Sequence, residues 1–108
     1  MDRTARIREL NDAFRKSFVG GKVMLTQAVD GLNEIEKATL LAKVQAFADF
    51  NGDNDPHREH DFVSVVHGGI SYFGKIDYYD KEMEMGSEDP ADPSMTVRVL
   101  TIVRADEY

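Results

Sequence analysis

The sequence predicts an α+β domain, a small antiparallel sheet of three to four strands with two amphipathic helices packed on one face. Three observations carry this reading. Apolar residues recur at helical spacing in two separate stretches, a glycine pair joins two β-rich runs, and a β-branched segment lies near the end of the chain. Such a mixture buries its apolar stripes by laying helices on a sheet. The 108 residues suit one domain, 1–108, with a single core.

Ile7, Leu10, Phe14 and Phe18 recur at steps of three and four, with Arg6, Arg8, Glu9, Asp12, Arg15 and Lys16 between them. This pattern predicts a helix over roughly residues 4–18, stopped by Gly20-Gly21, since glycine takes the left-handed conformation at a helix end. A short strand, Lys22 to Thr26, is expected next. The second helix opens near Asn33, which can cap it while Glu36 reaches back, and Glu34 and Glu36 complement the positive end of its dipole. Its apolar face is Ile35, Leu40, Leu41, Val44, Phe47 and Ala48, and the turn formers Asn51-Gly-Asp-Asn-Asp-Pro56 should end it around Phe50.

Phe62 to His67 and Ile70 to Tyr79 flank Gly68-Gly69, a two-residue hairpin loop that requires positive φ. The register pairs His67 with Ile70, Val65 with Tyr72, Val63 with Gly74 and Asp61 with Ile76. One face then carries Val63, Val65, Ile70, Tyr72, Ile76 and Tyr78 and is the expected core side. The opposite face carries Phe62, Ser64, Val66, Phe73, Lys75, Asp77 and Tyr79. Val97 to Val103 is expected to be the last strand, although Asp92-Pro93 has the composition of a helix start.

The chain has 13 basic and 20 acidic residues and no cysteine. Lack of cysteine excludes disulfides, thiolate metal sites and thiol nucleophiles, and fits a reducing cytoplasm. No apolar run approaches the ~20 residues of a membrane helix, and Met-Asp-Arg-Thr-Ala-Arg is not the start of a secretory signal. The charges are segregated: residues 1–22 hold six basic and three acidic side chains, whereas residues 76–94 hold seven acidic side chains against Lys81 alone. A dipolar molecule follows unless folding brings those segments together. The acidic balance disfavours direct binding to nucleic acid, where cationic side chains supply most of the affinity, and favours a basic protein partner.

No motif identifies a catalytic residue or a cofactor. The polar run from Asp49 to Asp61 fails as a calcium loop, which needs glycine at its sixth position and glutamate at its twelfth. Those positions are Asn54 and His60 counted from Asp49, or Pro56 and Phe62 counted from Asn51. His57, His60 and Asp61 have the donor chemistry of a metal site, but adjacent residues on a strand point to opposite faces, so His60 and Asp61 need outside help. Extending the hairpin register places His60 opposite Asp77 on the face that also holds Lys75, a minimal general-base pair or a structural ion pair. Tyr72, Phe73, Tyr78 and Tyr79 could stack bases, but their acidic continuation argues for packing.

The blocks Ile7-Arg-Glu-Leu-Asn-Asp-Ala-Phe-Arg15 with Val19-Gly-Gly21, Asp53-Asn-Asp-Pro56, Glu59-His-Asp-Phe62, Lys75-Ile-Asp-Tyr-Tyr-Asp80, Gly86-Ser-Glu-Asp-Pro-Ala-Asp-Pro93 and Arg98-Val-Leu-Thr-Ile102 resemble a family of short proteins. That family, mostly alphaproteobacterial, is known as a domain of unknown function. The resemblance implies a bacterial cytoplasmic setting and transfers no activity. Families of this kind often sit on mobile elements, which suggests a role in conflict between element and host.

The expected function is therefore a small non-enzymatic binding protein. Its recognition surface is Asp77, Tyr79, Asp80, Glu82, Glu84, Glu88 and Asp89, facing a basic protein surface such as that of a nucleic-acid-binding protein. One form is an inhibitor or counter-defence protein that imitates phosphate charge. The alternative is a metal-binding or hydrolytic enzyme centred on His57, His60, Asp61 and Asp77.

Overall fold

The computed structural model describes residues 2–108. Helix α1 spans Arg3–Ser17, where the Asp2 side chain caps the start by accepting from the Ala5 N–H. Its end differs from expectation. Phe18, rather than a glycine, takes the left-handed conformation, with φ 59°, and its N–H donates to the Phe14 carbonyl. Gly20 and Gly21 are thereby released to turn the chain and begin β1, Gly21–Leu25.

A short helix not anticipated from the sequence, α2 (Gln27–Asp30), precedes α3 (Glu34–Ala46). A four-residue helix has too little periodicity to read, yet Val29 in it is fully buried. Asn33 caps α3 as expected, its side-chain Oδ1 accepting from the Glu36 N–H at 2.8 Å. Glu36 answers through the Asn33 side-chain amide at 3.1 Å. The helix stops at Ala46, short of Phe50, because Phe47 leaves helical geometry with ψ 131°. This extended exit puts Phe47 and Phe50 edge to face, 4.9 Å apart, in the connection that carries the polar 49–61 run.

Strands β2 (Phe62–His67), β3 (Ile70–Tyr79) and β4 (Val97–Arg104) complete a four-stranded sheet in the order β1-β4-β3-β2. The β2–β3 hairpin has the expected register, with His67 opposite Ile70 and Val63 opposite Gly74, and Gly68 and Gly69 both adopt positive φ. β3–β4 is also antiparallel, whereas β1 runs parallel to β4, so the sheet is mixed but mostly antiparallel. β4 is central and largely buried, which accounts for its run of β-branched residues. Residues 92–96 form turns and not a helix, and a 3-10 turn, Ala105–Glu107, follows β4.

Helices and sheet meet over one core: Phe14, Val29, Leu40 and Val44 pack with Val63, Tyr72, Ile76, Leu100 and Ile102. The expected hairpin face is thus the core face, apart from Ile70, which lies at the hairpin tip and is 44% exposed. No helix among the described residues is long and apolar enough to cross a membrane.

Candidate functional site

The acidic connection between β3 and β4 is built as a fixed shape. Asp80 folds it back: its N–H donates to the Met85 carbonyl at 2.8 Å, and its carboxylate accepts from the Glu84 N–H at 3.0 Å. Met83 takes φ 59° at this tip. Ser87 and Thr96 bond to each other at 2.7 Å, and the Thr96 hydroxyl donates to the Asp89 carbonyl at 2.8 Å, so the two limbs are pinned together. Asp92 caps the last turn by accepting from Ser94 N–H and hydroxyl, which also holds its carboxyl below the usual carboxylate range.

This wiring sorts the predicted recognition residues into two groups. Asp77 is engaged by Lys75 at 3.0 Å, a pair that holds the lysine above its ordinary value despite some desolvation. Asp89 is engaged by Arg3 at 3.1 Å, so folding does bring the basic amino-terminal segment against the acidic loop. Tyr79 belongs to the sheet rather than the loop surface; it lies beside Met24, Met83 and Val99 on the face opposite the core. Glu82, Glu84 and Glu88 are exposed and, among the described residues, unpaired with any cation. Three methionines accompany them, with Met83 38%, Met85 71% and Met95 40% exposed.

A second polar constellation lies where α1 meets the 50–61 segment. His60 does not stand opposite Asp77 as the extended hairpin register implies: the strand begins only at Phe62, and His60 takes φ 54°, which turns its side chain toward α1. There its Nδ1 lies 2.8 Å from Asp12 Oδ1, its Nε2 3.6 Å from Asp55 Oδ2, and its ring stacks on Phe50 at 3.7 Å. Asp12 also accepts from the buried Arg15 at 3.1 Å. Asp12, Asp55 and Phe50 were missed as partners of His60, and Arg15 as a partner of Asp12. Only Asp12 carried a signal, standing one helical turn from Arg8 and three residues from Arg15 on the polar side of α1.

His57 is exposed and stands apart from this pair, and Asp61 is turned into a half-buried position beside other acids, where desolvation raises its carboxyl above the usual range. Among the described residues no three histidine, cysteine or acidic side chains gather as a metal would require. The segment is anchored from beneath by Asn11, which is fully buried. Its amide donates to the Glu59 carbonyl at 3.0 Å and the Tyr78 hydroxyl at 2.8 Å, and its oxygen accepts from Arg98 Nε at 2.8 Å. Burial and the bond that Tyr78 donates to Glu59, 2.6 Å, keep the phenol protonated well above its ordinary range. Burial also lowers the Arg98 guanidinium, which stacks over Tyr78 and donates to the Pro90 carbonyl.

The sequence model of the family described as Protein of unknown function (DUF3768) matches residues 25–107, most of the chain. The chain belongs to that family. No curated protein matches it, and no solved structure does. The DUF3768 match takes in the acidic loop, the His60 segment and all of β2, β3 and β4. α1, which supplies Asn11, Asp12 and Arg15 to the second constellation, lies before the matched residues.

Proposed function

We propose that the chain is a small non-enzymatic binding protein of the bacterial cytoplasm that takes a basic, partly apolar segment of a protein partner on the 80–95 loop. The supporting observation is the coincidence of Glu82, Glu84 and Glu88, unpaired, with exposed Met83, Met85 and Met95 on a loop already held in shape. Carboxylates steer a cationic partner, methionine adapts to an irregular apolar surface, and a loop ordered in advance loses little entropy on binding. One form of this role is an inhibitor or counter-defence protein of a mobile element, occupying the basic surface of a nucleic-acid-binding protein.

The test is a triple variant, Glu82→Gln, Glu84→Gln and Glu88→Gln, compared with the unaltered chain as bait in a bacterial lysate. A basic protein retained by the unaltered chain, released by salt and not retained by the variant supports the reading. Identical retention by a variant with an unchanged thermal transition refutes it.

A second reading, a hydrolytic site, now rests on the Asp12 and His60 pair rather than on Asp77. A carboxylate on Nδ1 orients an imidazole and leaves Nε2 for proton transfer. Loss of a hydrolytic activity in both Asp12→Asn and His60→Gln, with the fold retained, would support it.

A further inference from the structure

We propose that the cleft between α1 and the 50–60 segment binds a small phosphate dianion, inorganic phosphate or the phosphoryl group of a small monoester, through Arg8, Arg58 and His60. The cleft encloses about 410 Å³, and these three side chains line it together with Phe50, Asp55 and Pro56. In a chain with 20 acidic residues and 13 basic ones, neither Arg8 nor Arg58 has a carboxylate partner among the described residues. A guanidinium matches carboxylate and phosphate oxygens alike, and two of them on one cleft with donors to spare favour the dianion, which offers more oxygens and charge than a single carboxylate.

The backbone places these groups deliberately. Arg58 and His60 both take the left-handed conformation, with φ 60° and 54°, which is uncommon without glycine and clusters where side chains must be aimed. Buried Asp55 sustains it: its carbonyl accepts from the Arg58 N–H at 3.1 Å, and its carboxylate accepts from the His60 N–H at 3.1 Å. Arg8 Nη1 donates to the Arg58 carbonyl at 3.0 Å, which ties the two arginines together and leaves the other N–H groups of Arg8 for a ligand.

His60 completes the wall. With Nδ1 committed to Asp12 and the ring flat on Phe50, Nε2 is the remaining nitrogen. Neutral Nε2 accepts a hydrogen bond from the P–OH of inorganic phosphate, and a protonated ring donates from Nε2 to a P–O⁻ oxygen of either ligand. The Asp55 carboxylate also borders the cleft, with Oδ2 3.6 Å from Nε2, and so repels a second anionic group placed deeper. The ligand is therefore singly phosphorylated at the site and small, because an extended polyanion meets the repulsion of a chain of net charge -7. This inference is independent of the acidic-loop reading.

The test is an amide NMR titration of the full chain with inorganic phosphate, phenyl phosphate, acetate and a short DNA oligonucleotide, each at constant ionic strength. Saturable shifts at residues 51–60 with phosphate or phenyl phosphate are expected. Arg58→Gln and Arg8→Gln should each weaken binding about tenfold, the loss of one charge-assisted hydrogen bond. Saturation by both anions assigns the phosphate group itself, and saturation by phenyl phosphate alone assigns an organic monoester. The proposal is overturned by linear shifts without saturation, an equal response to acetate, tighter binding of the oligonucleotide, or undiminished affinity in Arg58→Gln, whose exposed side chain the fold does not need.

Discussion

Asp12 holds His60 and Arg15 at once, its Oδ1 lying 2.8 Å from His60 Nδ1 and accepting from Arg15 Nη1 at 3.1 Å. One carboxylate on α1 thus orients an imidazole at the surface and answers a guanidinium that is 1% exposed. The Arg15 charge has two further supports, the Phe47 carbonyl at 3.2 Å and the Phe50 ring at 5.2 Å.

Asp12→Ala should lower the unfolding free energy by about 2 kcal/mol, less than for a fully buried pair because Asp12 is partly solvated. Adding Arg15→Met should cost less than the sum of the two single changes, since a methionine leaves no buried charge behind. Urea unfolding of the four proteins in the cycle measures the difference. A slowly exchanging His60 Nδ1 proton, present in the unaltered chain and in Arg15→Met, should disappear in the two variants that lack the Asp12 carboxylate.

Asn11→Ala should be more costly, about 2–3 kcal/mol, because it strips acceptor and donor from Arg98, Tyr78 and Glu59 together inside the fold. The loss should be local as well as global. Hydrogen exchange should quicken at residues 58–61 before it quickens in β4.

Gly21→Ala should disrupt the start of β1. An added Cβ would meet the Arg98 carbonyl oxygen and come within 2.7 Å of the Phe14 ring. Neither the backbone nor a buried ring can yield freely, and overpacking of this kind costs ~1–3 kcal/mol. Thermal unfolding should show the loss, with a second change, Phe14→Leu, recovering part of it.

Asp61 gives a pH dependence with a definite sign. Its carboxyl is raised in the folded protein by desolvation, reinforced by Glu59 and Asp55, so the folded state holds the proton to higher pH than the unfolded chain does. Its contribution is fully present below the ordinary aspartate value and is lost as pH rises through the raised one. Asp61→Asn should therefore be more stable than the unaltered chain at neutral pH, and the gap should close in acid. Denaturant midpoints measured across that range check the prediction; a gap that widens in acid contradicts it.

The hairpin was legible because its information is local. Gly68-Gly69 fixes the turn, and alternation from Phe62 to Tyr79 then fixes which residues oppose one another. Both long helices were legible from apolar spacing, and Asn33 announced the start of α3. The parallel pairing of β1 with β4 was not, since it joins residues 77 positions apart, Gly21 with Arg98 through Leu25 with Ile102, whose local preferences are those of any strand.

The acidic loop could be found by composition, but composition could not say which of its charges are spent within the fold. Arg3 reaches Asp89 and Lys75 reaches Asp77, leaving Glu82, Glu84 and Glu88. His60 shows the same division more sharply. The sequence by itself determined the α+β class, the hairpin register and the segregation of charge, because each follows from spacing and turn chemistry over a few residues. Only the tertiary structure decided that His60 leaves the strand and meets Asp12, 48 positions away. The left-handed backbone at Arg58 and at His60 itself redirects the side chain, and the packing of α1 against the sheet supplies the partner.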